Sequence, residues 1–412
     1  MNHTHQGTSV FARSAALASS IFGILAVAGA ALTAPATAAS AADEVVIGAP
    51  LPLNGPLAGF GSFDQWGYQH AVDEVNKAGG VTIDGKKRMV KLIIRDDKTD
   101  PNVSASNVET LISRDHVTAL LGSCTPMLVN AGALVAERHK VPMVTGCDPL
   151  GAFTSVRKWN WVWDIFFDER ELASLAFKTM KDLGIKTDNK MAIMADNGPD
   201  GLIVGGKVWP MLAKENGYEV VANGSFPVDN TQFTSIVAQA KNAGADVVMS
   251  DFVTPPAVAL RKQMKEGGYS PKLMVIEKGA EPVQFAEALG PLAEGILVGG
   301  YWDPSFPYPG AADLEKQFEK DTGKSGSQHI ADSYAAAKVL LDAIEAAGST
   351  DPAKINAAIA KTDKTYVVGP VKFSPEHTSK LELVEDQWQN GKSVVVWPAN
   401  RATGKFEFPI PN

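Results

Sequence analysis

Short apolar runs alternate with helix-like stretches along almost the whole chain, and this alternation limits the fold more than any other feature of the sequence. The strand-like runs cover residues 45–48, 90–95, 119–122, 141–145, 161–166, 191–195, 219–226, 247–250, 273–276 and 296–298. The helical patterns between many of them cover residues 64–78, 105–115, 130–139, 169–183, 202–216, 233–242, 257–266 and 282–288. Strands that alternate with helices of this length are typical of parallel sheets with helices on both faces. The sequence therefore predicts an α/β fold built from doubly wound parallel sheets.

The first strand, loop and helix, at residues 45–81, indicate where such a fold binds a ligand. The apolar run opens into a Pro- and Gly-rich loop, and an amphipathic helix follows and ends at Gly79-Gly80. This loop lies at the carboxyl end of a strand, where open α/β sheets bind their ligands. Strand 191–195 repeats the layout, because it opens into loop 196–201, which contains Asn197, before a helix. We therefore expect two sheets with ligand loops at their rims.

The length of the chain also favours two lobes, because about 370 residues exceed what one hydrophobic core usually holds. We expect lobe one to begin with residues 43–165 and lobe two with residues 166–299. After an aromatic, Pro-rich segment, helices at 311–322, 329–347 and 352–360 return to lobe one as residues 300–364. The strands 371–373 and 382–389 are expected to pair, with 393–397 beyond them, and to close lobe two as residues 365–412.

The first 42 residues have the layout of a cleaved secretory signal. Arg13 precedes an apolar run at 15–32, and small residues with Ala-x-Ala spacing follow at 36–38 and 39–41. A membrane anchor is the alternative, since the run approaches spanning length. Pro35 and the small residues favour cleavage, and no Cys near the cleavage zone supports a lipid anchor. We expect a periplasmic protein that is not lipid-anchored.

Composition and motifs argue against several classes of function. The formal net charge is −8 and no Lys/Arg-rich tract occurs, so a nucleic-acid partner is not expected. The seven His residues show no metal-ligand spacing, and neither a zinc helix nor a serine-nucleophile elbow is present, so neither a metal, a cofactor nor an enzyme activity is expected. The segment 201–208 has the Gly and Lys spacing of a phosphate loop but lacks the Ser/Thr after Lys207, and its apolar interior favours a packed helix.

The two cysteines, Cys124 and Cys147, each follow an apolar run that is predicted to be a buried strand. If these strands are neighbours in a parallel sheet, both sulfurs lie near the same rim. Export permits a disulfide there, and two half-buried free thiols are the alternative.

Three groups of loop residues are candidates for ligand contact. Ser123, Cys124 and Thr125 lie between a strand and a helix, where hydroxyls and backbone N–H groups hold carboxylates or simply cap the helix. The segments 251–255 and 277–279 end strands in the second lobe. A buried carboxylate there, such as Glu277, could receive a ligand ammonium in a charge-assisted hydrogen bond.

Together these segments resemble the leucine/isoleucine/valine-binding family of periplasmic solute receptors, type I, which serve ATP-binding-cassette (ABC) importers. The resemblance covers essentially the whole chain after the signal, and its most specific parts are VVIGAPLPLNGPLAGFGSFDQWGYQHAVDEVNKAGGV and IIRDDKTDP. LLGSCTPMLVNAGALVAERHKVPMVT and VVGPVKFSPEHT are less specific. The family implies two doubly wound lobes joined by three crossing strands, a solute in the cleft between them, hinge closure, and no catalysis.

In amino-acid-binding members, loops of lobe one hold the ligand carboxylate and an acid of lobe two holds its ammonium. By position, residues 123–125 match the first carboxylate loop, 147–150 match the second, Glu277 matches the acid, and Phe60 matches the residue that covers the ligand. Pro126, Asp148 and Leu150 depart from the pattern, and Asp148 would repel a carboxylate unless it is protonated or turned away.

The aromatic residues Phe60, Phe252 and Trp302 make a non-standard ligand plausible, such as an aromatic acid or an amide. The sequence thus favours a monomeric solute-binding subunit that delivers a small amino acid, of branched-chain type by default, to a membrane permease. A sensory module of the same fold and a secreted enzyme are the alternatives, and the missing nucleophile–base constellation disfavours the enzyme.

Overall fold

The computed structural model describes residues 44–411, so the predicted signal segment 1–42 lies outside the described residues. The strands are β1 (Glu44–Leu51), β2 (Val81–Ile83), β3 (Lys86–Asp96), β4 (Ala119–Leu121), β5 (Met143–Thr145), β6 (Val162–Phe166), β7 (Lys190–Asp196), β8 (Glu219–Phe226), β9 (Val247–Phe252), β10 (Leu273–Lys278), β11 (Leu297–Gly300), β12 (Asp363–Tyr366), β13 (Gly369–Lys372), β14 (Thr378–Lys380), β15 (Val384–Gln389) and β16 (Lys392–Trp397). The α-helices are α1 (Ala58–Lys77), α2 (Pro101–Ser113), α3 (Pro126–His139), α4 (Leu150–Val156), α5 (Glu169–Asp182), α6 (Pro199–Ile203), α7 (Trp209–Glu215), α8 (Thr234–Ala243), α9 (Thr254–Glu266), α10 (Val283–Leu289), α11 (Ala311–Thr322), α12 (Gln328–Ala347) and α13 (Pro352–Ile359). Among these residues, no helix is both long enough and apolar enough to cross a membrane.

Two seven-stranded sheets organise these elements. The first has the order β14-β6-β5-β4-β1-β3-β2 and the second the order β16-β15-β11-β10-β9-β7-β8. Pairing is parallel except at β2–β3, β11–β15 and β15–β16. The chain passes between the sheets three times, after β6, after β11 and after β14. This architecture confirms the predicted fold of two doubly wound lobes joined by three crossings.

The closing strands differ from the expectation that residues 365–412 all belong to lobe two. β14 pairs in parallel with the open edge of β6 in the first sheet, with Ser379 opposite Ile165. The ring of His377 stacks on Trp163 at 3.5 Å between centroids, which holds this strand on the first lobe. β13 pairs with β12 in a separate hairpin rather than with residues 382–389. Only β15 and β16 therefore extend the second sheet.

The phosphate-loop-like segment lies in a continuous helical stretch, as its apolar interior indicated. A π-helical turn at Val204–Val208 connects α6 to α7. A Cβ atom on Gly205 would lie 2.3 Å from the Cβ of Ala195, so the glycine allows this stretch to pack closely on β7. Gly206 and Lys207 are exposed.

The first lobe depends on the close packing of α1 against α12, whose residues are buried along nearly its whole length. At the contact, a Cβ on Gly67 would lie 2.0 Å from Ser333 Oγ, 2.9 Å from the backbone N of Tyr334 and 3.0 Å from the carbonyl O of Ile330. Because two of these three atoms belong to the backbone, a side chain at residue 67 would push the two helices apart.

We therefore expect Gly67→Ala to lower the free energy of unfolding by roughly 1–3 kcal/mol, the usual cost of overpacking. Equilibrium urea denaturation followed by circular dichroism measures this change. Gly206→Ala is the matched control, because a Cβ there meets no atom within 4 Å. Equal losses in the two variants would show that the contact between α1 and α12 is not tightly packed.

Candidate functional site

A cleft lies between the carboxyl-end loops of the two sheets and contains about 470 Å³ of space free of atoms, part of it open to solvent. Its apolar and small-residue wall consists of Phe60, Cys124, Thr125, Pro126, Cys147, Pro149, Phe166, Phe167, Leu172 and Val204. Its ionisable residues are Glu169, Asp200, Asp251, Glu277, Lys278, Glu281 and His329. Most of the apolar wall comes from lobe one, and most of the acids come from lobe two.

A disulfide joins Cys124 to Cys147 and decides the alternative that the sequence left open. It connects the loop after β4 to the loop after β5, and both sulfur-bearing residues line the cleft. The N–H of Thr125 donates to the carbonyl O of Cys147 at 2.9 Å, which ties the loops together a second time. The first-lobe rim is therefore a fixed surface.

Aromatic rings form the floor of the cleft in lobe one. Phe60, on α1, is buried and meets the ring of His329 edge-on, with 4.8 Å between centroids. Phe166 and Phe167 follow each other where the chain first leaves lobe one, and their centroids lie 4.2 Å apart. This surface suits an apolar or aromatic ligand group.

Lys278, the last residue of β10, lies among three carboxylates of lobe two. Its Nζ is 2.7 Å from Asp196 Oδ2, 2.8 Å from Asp200 Oδ2 and 3.5 Å from Asp251 Oδ1. Burial raises the pKa of Asp251 well above its ordinary value, although Lys278 opposes this shift. One ammonium thus faces three carboxyl groups in this cluster.

Glu277 is buried beside this cluster. Its Oε2 accepts a hydrogen bond from the N–H of Gly299 at 2.9 Å. Burial raises the pKa of Glu277 well above its ordinary value, and the nearby carboxyl of Glu385 adds to the shift. A cation placed beside Glu277 would favour its carboxylate form.

His329, near the start of α12, connects the two lobes. Its Nε2 is 2.6 Å from Oε2 of Glu281, which follows β10, and its Nδ1 is 3.0 Å from Oδ2 of Asp332. Burial lowers the pKa of His329, but the charges of Asp332 and Glu281 outweigh burial and raise it well above its ordinary value. A buried imidazolium therefore bridges an acid of each lobe.

A group of three buried side chains under the cleft offers ligand atoms for a metal. Asp64, His329 and Asp332 place these atoms within 4.8 Å of one another. Both nitrogens of His329 already face carboxylates, and Tyr301 Oη donates to Asp332. Both oxygens of Asp64 have no hydrogen-bond partner among residues 44–411, and burial raises the pKa of this carboxyl well above its ordinary value.

The structure brings four of the predicted ligand residues together in the cleft: Phe60, Cys124, Thr125 and Glu277. Trp302 lines an adjoining depression instead, which shares Glu281 with the cleft.

Four other predicted residues do not line the cleft. Ser123 is buried and donates to Asp97 Oδ2 at 2.6 Å, and Asp148 is buried with no hydrogen-bond partner within residues 44–411. Asn197 is exposed outside it. Phe252 packs against Phe233 in the core of lobe two. Successive side chains of a strand point to opposite faces, so Asp251 reaches the cleft where Phe252 cannot.

Sequence reasoning missed His329, Glu281, Glu169 and the pair Phe166-Phe167. His329 and Phe60 are 269 positions apart (329 − 60) and meet only because α12 returns to lobe one. One signal was available for His329, since it is the first residue of the predicted helix 329–347 and lies three positions before Asp332.

The disulfide closes a segment with a sequence separation of 23. We expect the double variant Cys124→Ala/Cys147→Ala to lose about 3 kcal/mol of unfolding free energy, the usual effect of a loop of this length. Urea denaturation measures the loss, and thiol titration of the unfolded, unreduced wild-type protein should find no free thiol. A full complement of titratable thiols would contradict the bridge.

Glu385, on β15, makes the stability of the protein depend on pH. It is fully buried, and burial together with Asp386 raises its pKa to about 8, from an ordinary value of 4.5. The native state therefore binds more protons than the unfolded state over this interval. Its stability falls as the pH rises from about 4.5 to about 8, by at most about 1.4 kcal/mol per pH unit for one such group.

Glu385→Gln removes this titratable group. The unfolding free energy of the variant minus that of the wild type should therefore increase from pH 5 to pH 8. Denaturation at both pH values measures the difference. Glu287→Gln, at a half-exposed position on α10, serves as the control. The same pH dependence in wild type and Glu385→Gln would contradict the raised pKa.

Comparisons with known proteins agree with this fold. The profile of the family described as periplasmic binding protein matches residues 44–382. The Leu/Ile/Val-binding protein homolog 7 of Brucella suis biovar 1 is 28% identical over 398 residues, which cover 91% of this chain and 96% of the relative.

Two solved structures show the same fold. The leucine binding protein LivK of Thermotoga maritima superposes with a TM-score of 0.76 at 23% identity, over 85% of this chain and 97% of its own. A solute-binding protein of an ABC transporter from R. palustris, solved in complex with benzoate, superposes with a TM-score of 0.75 at 19% identity, over 86% and 95%. The chain therefore belongs to the periplasmic binding protein family, as its resemblance to the leucine/isoleucine/valine-binding receptors predicted.

Proposed function

We propose that this protein is the extracytoplasmic solute-binding subunit of an ABC importer and captures a small ammonium-bearing ligand between its lobes. The observation that carries the proposal is the division of the cleft into two unlike walls. An apolar wall with Phe60, Phe166 and Phe167 faces an acidic wall with Asp251 and Glu277. A small molecule with a hydrocarbon or aromatic group and a cationic group complements both walls.

An amino acid is the default ligand in this proposal. The Thermotoga maritima relative is a leucine binding protein, and it has the same fold. The ligand ammonium would approach Glu277 and donate a charge-assisted hydrogen bond to its carboxylate. The side chain would lie on Phe60 and the Phe166-Phe167 pair.

Hinge closure supplies the mechanism of capture and release. The lobes are linked by three chain crossings, and the ion pair between His329 and Glu281 joins them across the cleft. Domains linked in this way close around a ligand by small rotations at the connecting segments. In the proposal, a permease recognises the closed form after the signal segment has been cleaved, and the receptor acts as a monomer.

An aromatic acid is the second candidate ligand. The R. palustris relative is in complex with benzoate, and three phenylalanine rings line the cleft of this chain. In this alternative Lys278 would receive the carboxylate, which requires that it exchange one of its three acidic partners for the ligand.

A thermal-shift screen of amino acids, amines, amides and aromatic acids tests the proposal. A ligand that binds only the native state raises the melting temperature by mass action. No shift with any class, together with no saturable binding in calorimetry, would overturn the proposed function.

For ammonium-bearing ligands from this screen, we expect Glu277→Gln to weaken binding roughly tenfold to a hundredfold, the cost of losing a charge-assisted hydrogen bond of about 1.5–3 kcal/mol. Neutral amides should lose much less. Glu287→Gln, a half-exposed glutamate of the same lobe, is the matched control. Equal weakening of amines and amides would exclude Glu277 as the ammonium acceptor.

A further inference from the structure

Several backbone positions at the rim of lobe one offer no free N–H to a ligand carboxylate. The N–H of Thr125 is used by the carbonyl of Cys147, and the N–H of Leu150 is used by the carbonyl of Phe167, both at 2.9 Å. Pro126 and Pro149 have no N–H. Four successive or paired backbone positions of these loops, residues 125, 126, 149 and 150, therefore have no N–H free for a ligand carboxylate.

The protein also places a carboxylate of its own at this rim. Glu169 accepts hydrogen bonds from the N–H of Gly151 at 2.6 Å and from the N–H of Ala152 at 2.5 Å. Glu169 lines the cleft, and 3% of the residue is exposed to solvent. Glu169 thus occupies donors that could otherwise serve a ligand, and it would repel a second carboxylate brought beside it.

The basic side chains of the cleft are neutralised before any ligand arrives. Within the described part of the chain, only Lys278 and His329 are basic residues that line it. Three carboxylates surround Lys278, and His329 lies between Glu281 and Asp332. Five acids line the same walls, so carboxyl groups outnumber basic side chains there.

Building on the proposed function, we propose that the cleft selects an organic cation without a carboxylate, such as the amine that corresponds to an apolar amino acid. The ammonium lies against Glu277 and Asp251, and the apolar group lies on Phe60 and the Phe166-Phe167 pair. Aromatic rings near a cation add cation–π attraction. A zwitterion presents the same ammonium but places an anion beside Glu169, where no free positive charge compensates it.

Matched ligands that share one side chain test the selection by isothermal titration calorimetry of the full chain. One set is leucine, isoamylamine and isocaproate, and another is phenylalanine, phenethylamine and hydrocinnamate. We expect the amine of at least one set to bind at least tenfold more tightly than its amino acid, and the acid not to bind.

The possible outcomes separate this inference from the proposed function. Tighter or equal binding of the amino acid, or binding of the acid alone, overturns the selection but leaves a solute receptor. If no member of either set binds while the broader screen finds another ligand, the selection is also overturned. If nothing binds in either experiment, both proposals fail.

The variant Glu169→Gln tests the residue that carries the inference. It keeps an oxygen acceptor for one N–H and removes the negative charge, so the preference for amine over amino acid should fall at least threefold. Glu287→Gln should leave the ratio unchanged. An unchanged ratio in a folded Glu169→Gln protein, verified by its melting curve, would contradict the role of Glu169.

Discussion

Parallel strands place all their carboxyl ends at one edge of a sheet, and in this protein both sheets direct that edge toward a single cleft. The loop after β4 and the loop after β5 enter the cleft from one side, and the ends of β9 and β10 enter from the other. Each lobe therefore provides half of a site, and the three chain crossings keep the halves together. In the proposed function, ligand capture and lobe closure follow from the same arrangement.

Burial of charge is the second organising influence, because an ion removed from water must be paired or neutralised. Lys278 and His329 are each held by more than one carboxyl group, whereas Glu277 accepts a hydrogen bond from the N–H of Gly299. The two basic side chains of the cleft are thus paired with carboxyl groups of the protein, and Glu277 remains for a ligand cation. Glu169 adds a further carboxyl group at the lobe-one rim, where the wall is otherwise apolar.

Local pattern predicted much of this protein, and its failures have definite physical causes. The alternation of apolar runs with helices predicted two parallel sheets, whereas the sequence left a disulfide and two free thiols as alternatives for Cys124 and Cys147, of which the structure contains the disulfide. Phe252 was assigned to the cleft because its loop follows a strand, but the alternation of side chains along β9 directs Asp251 there instead. An error of one residue in the predicted end of a strand is enough to exchange the positions of these two side chains.

The sequence determined the class of fold, the strand ends that carry the site and the candidacy of Glu277, because hydrophobic periodicity and turn residues act over short distances. Only the tertiary structure determined that α12 brings His329 to Phe60, that β14 joins the first sheet, and that Glu169 bonds the N–H groups of Gly151 and Ala152. These contacts join segments far apart in the chain or depend on side-chain direction. Their energies arise from packing and charge in the folded state, which no local pattern encodes.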